Sequence, residues 1–129
     1  MNSEKVTNHI VSWLKTYARE AGVKGFVIGV SGGIDSAVTS TLCAKTGLQV
    51  LCLEMPIRQE ASQVNRARNH IDWLQSSFTN VSFKSLDLTP VFESLLGVLP
   101  DVEDEKDRWM PLANTRARLR MSTLYYFAA

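Results

Sequence analysis

Apolar positions change their period along this chain, and each change marks an element. Val6, Ile10, Trp13, Leu14, Tyr17 and Ala21 recur at helical spacing after Ser3, an N-cap type, and Gly22 stands where a C-terminal cap belongs. They predict a packing helix. Phe26 to Val30 is an apolar run with no polar alternation, the pattern of a strand covered on both faces in a parallel sheet. Ile34, Val38, Thr41 and Leu42 predict one face of a second helix that stops at Gly47. Leu48 to Met55 is a second strand, halted by Pro56. Val64, Ala67, Arg68, Ile71, Leu74 and Phe78 trace a third helix, and Val81 to Leu88 reads as a third strand. Thr89-Pro90 is a cap and first-turn pair for a short helix, Val91 to Leu96, closed by Gly97. Val98 to Met110 is rich in acids and reads as a solvated loop, and Pro111 then precedes a helical run from Leu112 to Ala129.

Strand, loop, helix, strand is the βαβ unit, whose right-handed crossover makes the first two strands parallel neighbours. The expected fold is α/β, an open parallel sheet with helices on both faces. Ligands of such sheets bind beyond the carboxyl ends of the strands, which places Met55 to Gln59 beside the loop that follows the first strand.

That loop, Gly29-Val30-Ser31-Gly32-Gly33-Ile34-Asp35-Ser36, carries the main chemical signal. Adjacent glycines let the backbone take positive φ and approach a ligand closely, and a helix start offers unpaired N–H groups and a positive dipole end to an anion. The lysine of a P-loop is absent, and Asp35-Ser36 stands in its place. A carboxylate beside phosphate repels it unless a cation intervenes, so Asp35 points to Mg2+ bridged to a triphosphate. An ordinary tight turn with an acid near a helix start is the plainer reading, and the length of the pattern disfavours it.

Composition narrows the setting. With 129 residues, 45% hydrophobic and 21% charged, the chain is the size of one globular domain, and its net charge of +1 provides no field for nucleic acid or an anionic membrane. Cys43 and Cys52 lie in apolar runs without ligand spacing and read as buried reduced thiols. His9, without a partner His or Cys nearby, reads as a surface residue. No signal peptide or membrane span is evident, and a cytoplasmic protein is expected.

At Ser31-Gly32-Gly33-Ile34-Asp35-Ser36 the chain resembles the PP-loop (N-type) ATP pyrophosphatases, which cleave ATP between the α and β phosphates. The last helix contains Asn114-Thr115-Arg116-Ala117-Arg118-Leu119-Arg120-Met121, in which Arg116 and Arg120 share a face and Arg118 lies roughly opposite. Asn-x-x-Ala-Arg-x-Arg-Met after such a loop, with Met55-Pro56 after the second strand, is similar to the ammonia-dependent NAD synthetases.

The resemblance implies an adenine nucleotide alpha-hydrolase-like, Rossmann-like fold truncated at its C-terminus, with residues 1–129 as the N-terminal part of one domain. It implies ATP-dependent amidation of deamido-NAD through an acyl adenylate, with ammonia as nitrogen donor, Mg2+ on Asp35, and a homodimer. Ser31, Asp35 and Ser36 would act in catalysis. Gly29 to Ser36, with Met55, would hold ATP, and Arg118 would contact deamido-NAD. Ile34 departs from members that have Gln there. The family's second half, with a further metal-binding acid, has no counterpart, so this length alone should bind weakly and turn over little. Other loop-family members, GMP synthetase-like or tRNA-modifying, are the near alternatives, and a non-catalytic nucleotide-binding module is the distant one.

Overall fold

The computed structural model describes residues 2–100 and 105–129. Three parallel strands, β1 (Gly25–Gly29), β2 (Gln49–Glu54) and β3 (Val81–Ser85), lie in the order β1-β2-β3. Helices α1 (Ser3–Ala21), α2 (Ile34–Lys45) and α3 (Ala61–Ser77) alternate with them, followed by α4 (Thr89–Val98) and α5 (Glu105–Ala128). Phe26, Ile28, Val30, Val50, Cys52, Val81 and Phe83 turn one sheet face towards Leu14 of α1, Cys43 and Ala44 of α2, and Ala67, Ile71 and Leu74 of α3. Burial of these side chains is the main favourable term in folding. On the other face α5 crosses β1, so the sheet has helices on both sides as expected.

β2 is the strand with partners on both edges, and Val50, Cys52, Leu53 and Glu54 are buried along it. β1 departs from the expectation of full cover: every residue is half-buried. It pairs with β2 alone, and a cleft separates Val27 from α5. β3 ends at Ser85, although Leu86 N–H still donates to the Glu54 carbonyl and Leu88 N–H to that of Pro56.

Small residues change which helix faces are buried. In α2 the row that meets the sheet is Ser40, Cys43 and Ala44, whereas Ile34 is 75% and Val38 50% exposed. Short side chains let the helix axis approach closely, so the bulkier apolar residues are left outside. In α1 the inward row is Ile10, Leu14 and Ala18, and Trp13 and Tyr17 stack on each other at the surface with centroids 5.3 Å apart. Asn2, not Ser3, caps α1 by accepting from Lys5 N–H, and Gly22 closes it at φ 69°.

Helix ends also differ from the sequence reading. α4 begins at Thr89 itself, whose N–H donates to the Asp87 carboxylate, and runs past Gly97 to Val98. Of the expected acidic loop, residues 101–104 lie outside the described residues, and Glu105 to Met110 belong to α5, with Pro111 inside that helix. A proline commonly opens a helix, which is why α5 was expected to begin after it. Cys43 and Cys52 are buried and free, and burial pushes the Cys52 thiol up to about 11. His9 is exposed. No helix among the described residues is long and apolar enough to cross a membrane.

A buried polar link ties α2 to α3. Ser40, wholly buried, has its hydroxyl 2.7 Å from the Ser36 carbonyl and 2.9 Å from His70 Nε2. A hydroxyl has one proton, so when Ser40 donates to the backbone, His70 must carry its proton on Nε2 and donate to Ser40. Burial holds the His70 pKa below its ordinary value. The unfolded chain therefore protonates first, so stability should be full above pH about 6.5 and decline as pH falls through the folded-state value. His70→Gln keeps an N–H donor and removes the titration. Urea midpoints measured from about pH 7.5 to 5.5 should fall more steeply for the parent than for this variant, and equal slopes would contradict the assignment. Leu74→Ala, at a wholly buried position of the core, should cost about 2–5 kcal/mol in the same assay.

Candidate active site at the carboxyl ends of the strands

β1 delivers the chain into the loop, and one residue sets its course. Gly32 has φ 86°, a conformation an L side chain rarely adopts, and a Cβ there would lie 2.6 Å from the Gln63 carbonyl oxygen of α3. The loop is thus pressed against α3 by the absence of a side chain. Gly33 has extended backbone at φ −88° and precedes α2 without any side-chain cap. Positive φ was anticipated at the glycine pair, and it occurs at Gly32 alone of the two.

With no side-chain cap, the first N–H groups of α2, at Ile34, Asp35 and Ser36, have no intrahelical acceptor and lie at the positive end of the helix. The two serines close the loop from within. Ser31 N–H donates to Ser36 Oγ at 3.1 Å, their hydroxyls are 3.3 Å apart, and Gly33 N–H donates to Ser31 Oγ at 3.4 Å. These hydroxyls are therefore set side by side at the mouth of an anion cradle. Asp35 is exposed in the first turn of α2 and enters no ion pair among the described residues.

The loop after β2 lies alongside, as the parallel order requires. Met55 is buried, its Cε would sit 3.2 Å from a Cβ built on Gly29, and both line a cleft of about 210 Å³ with Val30, Ser31, Leu53, Gln59, Arg120 and Leu124. Arg58 holds this loop in place. It adopts φ 51°, donates its N–H to Thr89 Oγ1 at 3.0 Å, pairs with Glu93 and lies over the Phe92 ring. At the end of β2, buried Glu54 accepts from Arg68 Nε and Nη2, each at 3.3 Å, and from Ser85 Oγ at 3.0 Å.

Of the anticipated residues, Gly29, Val30 and Ser31 line one cleft with Met55, and Gly32 to Ser36 lead on from it into the start of α2. Arg118 does not join them: it is exposed and is not among the residues lining this cleft. Arg120, left without a role by the sequence, takes that place and donates Nε–H to the Met55 carbonyl at 3.0 Å. The signal that could have found it is its position one helical turn after Arg116, on the face opposite Arg118.

Among the described residues, no group of three or more His, Cys, Asp or Glu could hold a metal ion by itself. Asp35 alone nevertheless suits Mg2+, which commonly takes one or two carboxylates and completes its shell with phosphate oxygens and water.

Known proteins of similar architecture are also similar to this chain in sequence. A family model described as NAD synthase matches residues 6–129. The NH(3)-dependent NAD(+) synthetase of Finegoldia magna is 36% identical, with 99% of this chain aligned to 50% of that protein, and that of Carboxydothermus hydrogenoformans is 33% identical, with 100% aligned to 51%. The chain spans about half the length of the curated relatives it matches. Among solved structures, an NMN synthetase from Francisella tularensis superposes with a TM-score of 0.85 at 30% identity, covering 99% of this chain and 50% of that one. The NH3-dependent NAD synthetase of Campylobacter jejuni gives 0.83 at 26%, covering 98% and 52%. Loop, sheet and sequence agree, and the chain belongs to the NAD synthase family.

Proposed function

We propose that this chain supplies the ATP-gripping portion of an ammonia-dependent NAD synthetase, with residues 1–129 as the N-terminal part of a single domain. The observation that carries the reading is the uncapped start of α2 behind the left-handed Gly32, with the exposed carboxylate of Asp35 in its first turn. In the reaction, the carboxylate of deamido-NAD attacks the α phosphorus of ATP. A carboxylate O–P bond forms, the bond from that phosphorus to the bridging oxygen breaks, and pyrophosphate leaves. Ammonia then attacks the acyl carbon and AMP departs.

Charge accumulates on the leaving pyrophosphate, and donors already aimed at that point lower the barrier without reorganising. In this reading the N–H groups of Ile34, Asp35 and Ser36 and the hydroxyls of Ser31 and Ser36 bind and orient the β and γ phosphates, and the uncapped helix start with its two adjacent hydroxyls supports it. Asp35 would hold Mg2+, which when bound neutralises phosphate charge. Gly29 and Met55 offer an apolar wall for the nucleoside. Arg118, exposed on the far side of α5, is assigned to deamido-NAD in a homodimer, where a guanidinium suits phosphate or carboxylate. A cytoplasmic setting accords with two free buried thiols.

The similarity to an NMN synthetase favours a second reading, in which the acceptor is a mononucleotide carboxylate. Pyrophosphate release with ammonia and ATP, comparing deamido-NAD with nicotinic acid mononucleotide, separates the two: the first reading expects faster release with the dinucleotide. Asp35→Asn should weaken Mg2+-dependent ATP binding by about tenfold or more, equivalent to ~1.4 kcal/mol per decade, and leave metal-free binding unweakened or stronger, since without the cation the carboxylate only repels phosphate. Calorimetric titration with and without Mg2+ checks this, and equal affinity of parent and variant would refute the role of Asp35.

A further inference from the structure

Arg120 is the cation built into the wall of the nucleotide cleft. Its side chain is half-buried where α5 passes the carboxyl ends of β1 and β2, and it lines the same cleft as Gly29, Val30, Ser31 and Met55. Its Nε–H is committed to the Met55 carbonyl at 3.0 Å, which fixes the plane of the guanidinium and leaves the Nη groups as donors. One turn away on the same face, Arg116 lies over Phe92 and joins Arg120 in lining a second cleft of about 410 Å³ with Gln59, Glu60 and Gln63.

No carboxylate answers these two cations among the described residues. The ion pairs there are Arg58–Glu93 and Arg68–Glu54, and Glu60, which lines the second cleft, pairs with neither Arg116 nor Arg120. Burial and the neighbouring Arg116 charge both push the Arg120 pKa down. An arginine stays charged regardless, so the site retains positive charge that no carboxylate among the described residues neutralises. A half-buried guanidinium held by a backbone bond gains most from an oxyanion that it can meet with two parallel N–H donors.

We propose that Arg120, seconded by Arg116, binds the α phosphate of the nucleotide whose β and γ phosphates lie on Gly32 to Ser36. The assignment rests on the reading of that loop as a triphosphate cradle. A nucleotide with its terminal phosphates at Ser31 and its nucleoside against Met55 occupies the cleft that Arg120 also lines, and the bond to the Met55 carbonyl sets the guanidinium at the nucleoside end. The phosphate nearest the nucleoside is then the one Arg120 meets, and it is also the phosphorus under attack. Arg120 is thereby a candidate catalytic residue, distinct from the backbone donors that receive the leaving group.

Binding of fragments to the 129-residue chain, followed by NMR titration, tests the loop and the arginine separately. AMP carries the α phosphate alone, and inorganic pyrophosphate with Mg2+ carries only the groups assigned to the loop. Arg120→Gln should weaken AMP by about tenfold, the loss of a bidentate charge-assisted pair, while leaving pyrophosphate within about twofold. Asp35→Asn should do the reverse. Arg116→Gln, which breaks no backbone bond, should weaken AMP by about threefold and guards against misfolding of the first variant. Unchanged AMP affinity in both arginine variants, or equal losses for AMP and pyrophosphate, would overturn the proposal. Failure of pyrophosphate to bind the parent chain, with AMP still sensitive to Arg120, would instead defeat the loop reading and leave a phosphate site at Arg120.

Discussion

The structure depends on a backbone approach that tolerates no side chain: Gly32, at φ 86°, resting against the Gln63 carbonyl of α3. The contact joins two consequences of the parallel fold. β1 must end where α2 begins, and α3 must return across the same sheet edge. At their meeting point the main chain turns left-handed and leaves the start of α2 uncapped. Any side chain at Gly32 would push the loop off α3 and redirect the amides that give the site its character.

Around this point the fold works as a mounting. The core of β1, β2, α2 and α3 buries aliphatic side chains on one sheet face, and Ser40 carries a polar link from His70 to the Ser36 carbonyl, inside the turn that follows the loop. α3 thus braces the loop twice, by contact at Gly32 and by hydrogen bonding at Ser40. On the opposite side α5 brings Arg120 to the Met55 carbonyl, so the loops after β1 and β2 and the last helix form one cleft. The Arg58–Glu93 pair and the Phe92 ring hold the β2 loop against α4.

Much of this was legible in the chain itself. An unbroken apolar run marked β1 and a run interrupted only by Gln49 and Glu54 marked β2, the spacing of Ala67, Ile71 and Leu74 marked the buried face of α3, and the glycine-rich turn located the candidate site. What failed to show follows from size and from distance in sequence. Periodicity weights large apolar residues, so Ile34, Val38, Trp13 and Tyr17 were expected inside, yet α2 packs through Ser40, Cys43 and Ala44. A proline is ordinarily a helix boundary, which hid the first turns of α5 before Pro111. The partner of Arg120 is a backbone carbonyl far away in sequence, at Met55, and a main-chain acceptor leaves no trace in residue type.

The central claim is that main-chain amides of one loop hold the phosphate tail of ATP. A crystal structure of the chain with Mg2+ and a non-hydrolysable ATP analogue tests it most directly. The β and γ phosphates should lie on the N–H groups of Ile34, Asp35 and Ser36, with Mg2+ between them and Asp35. A triphosphate bound elsewhere, with those amides facing water, would contradict the account.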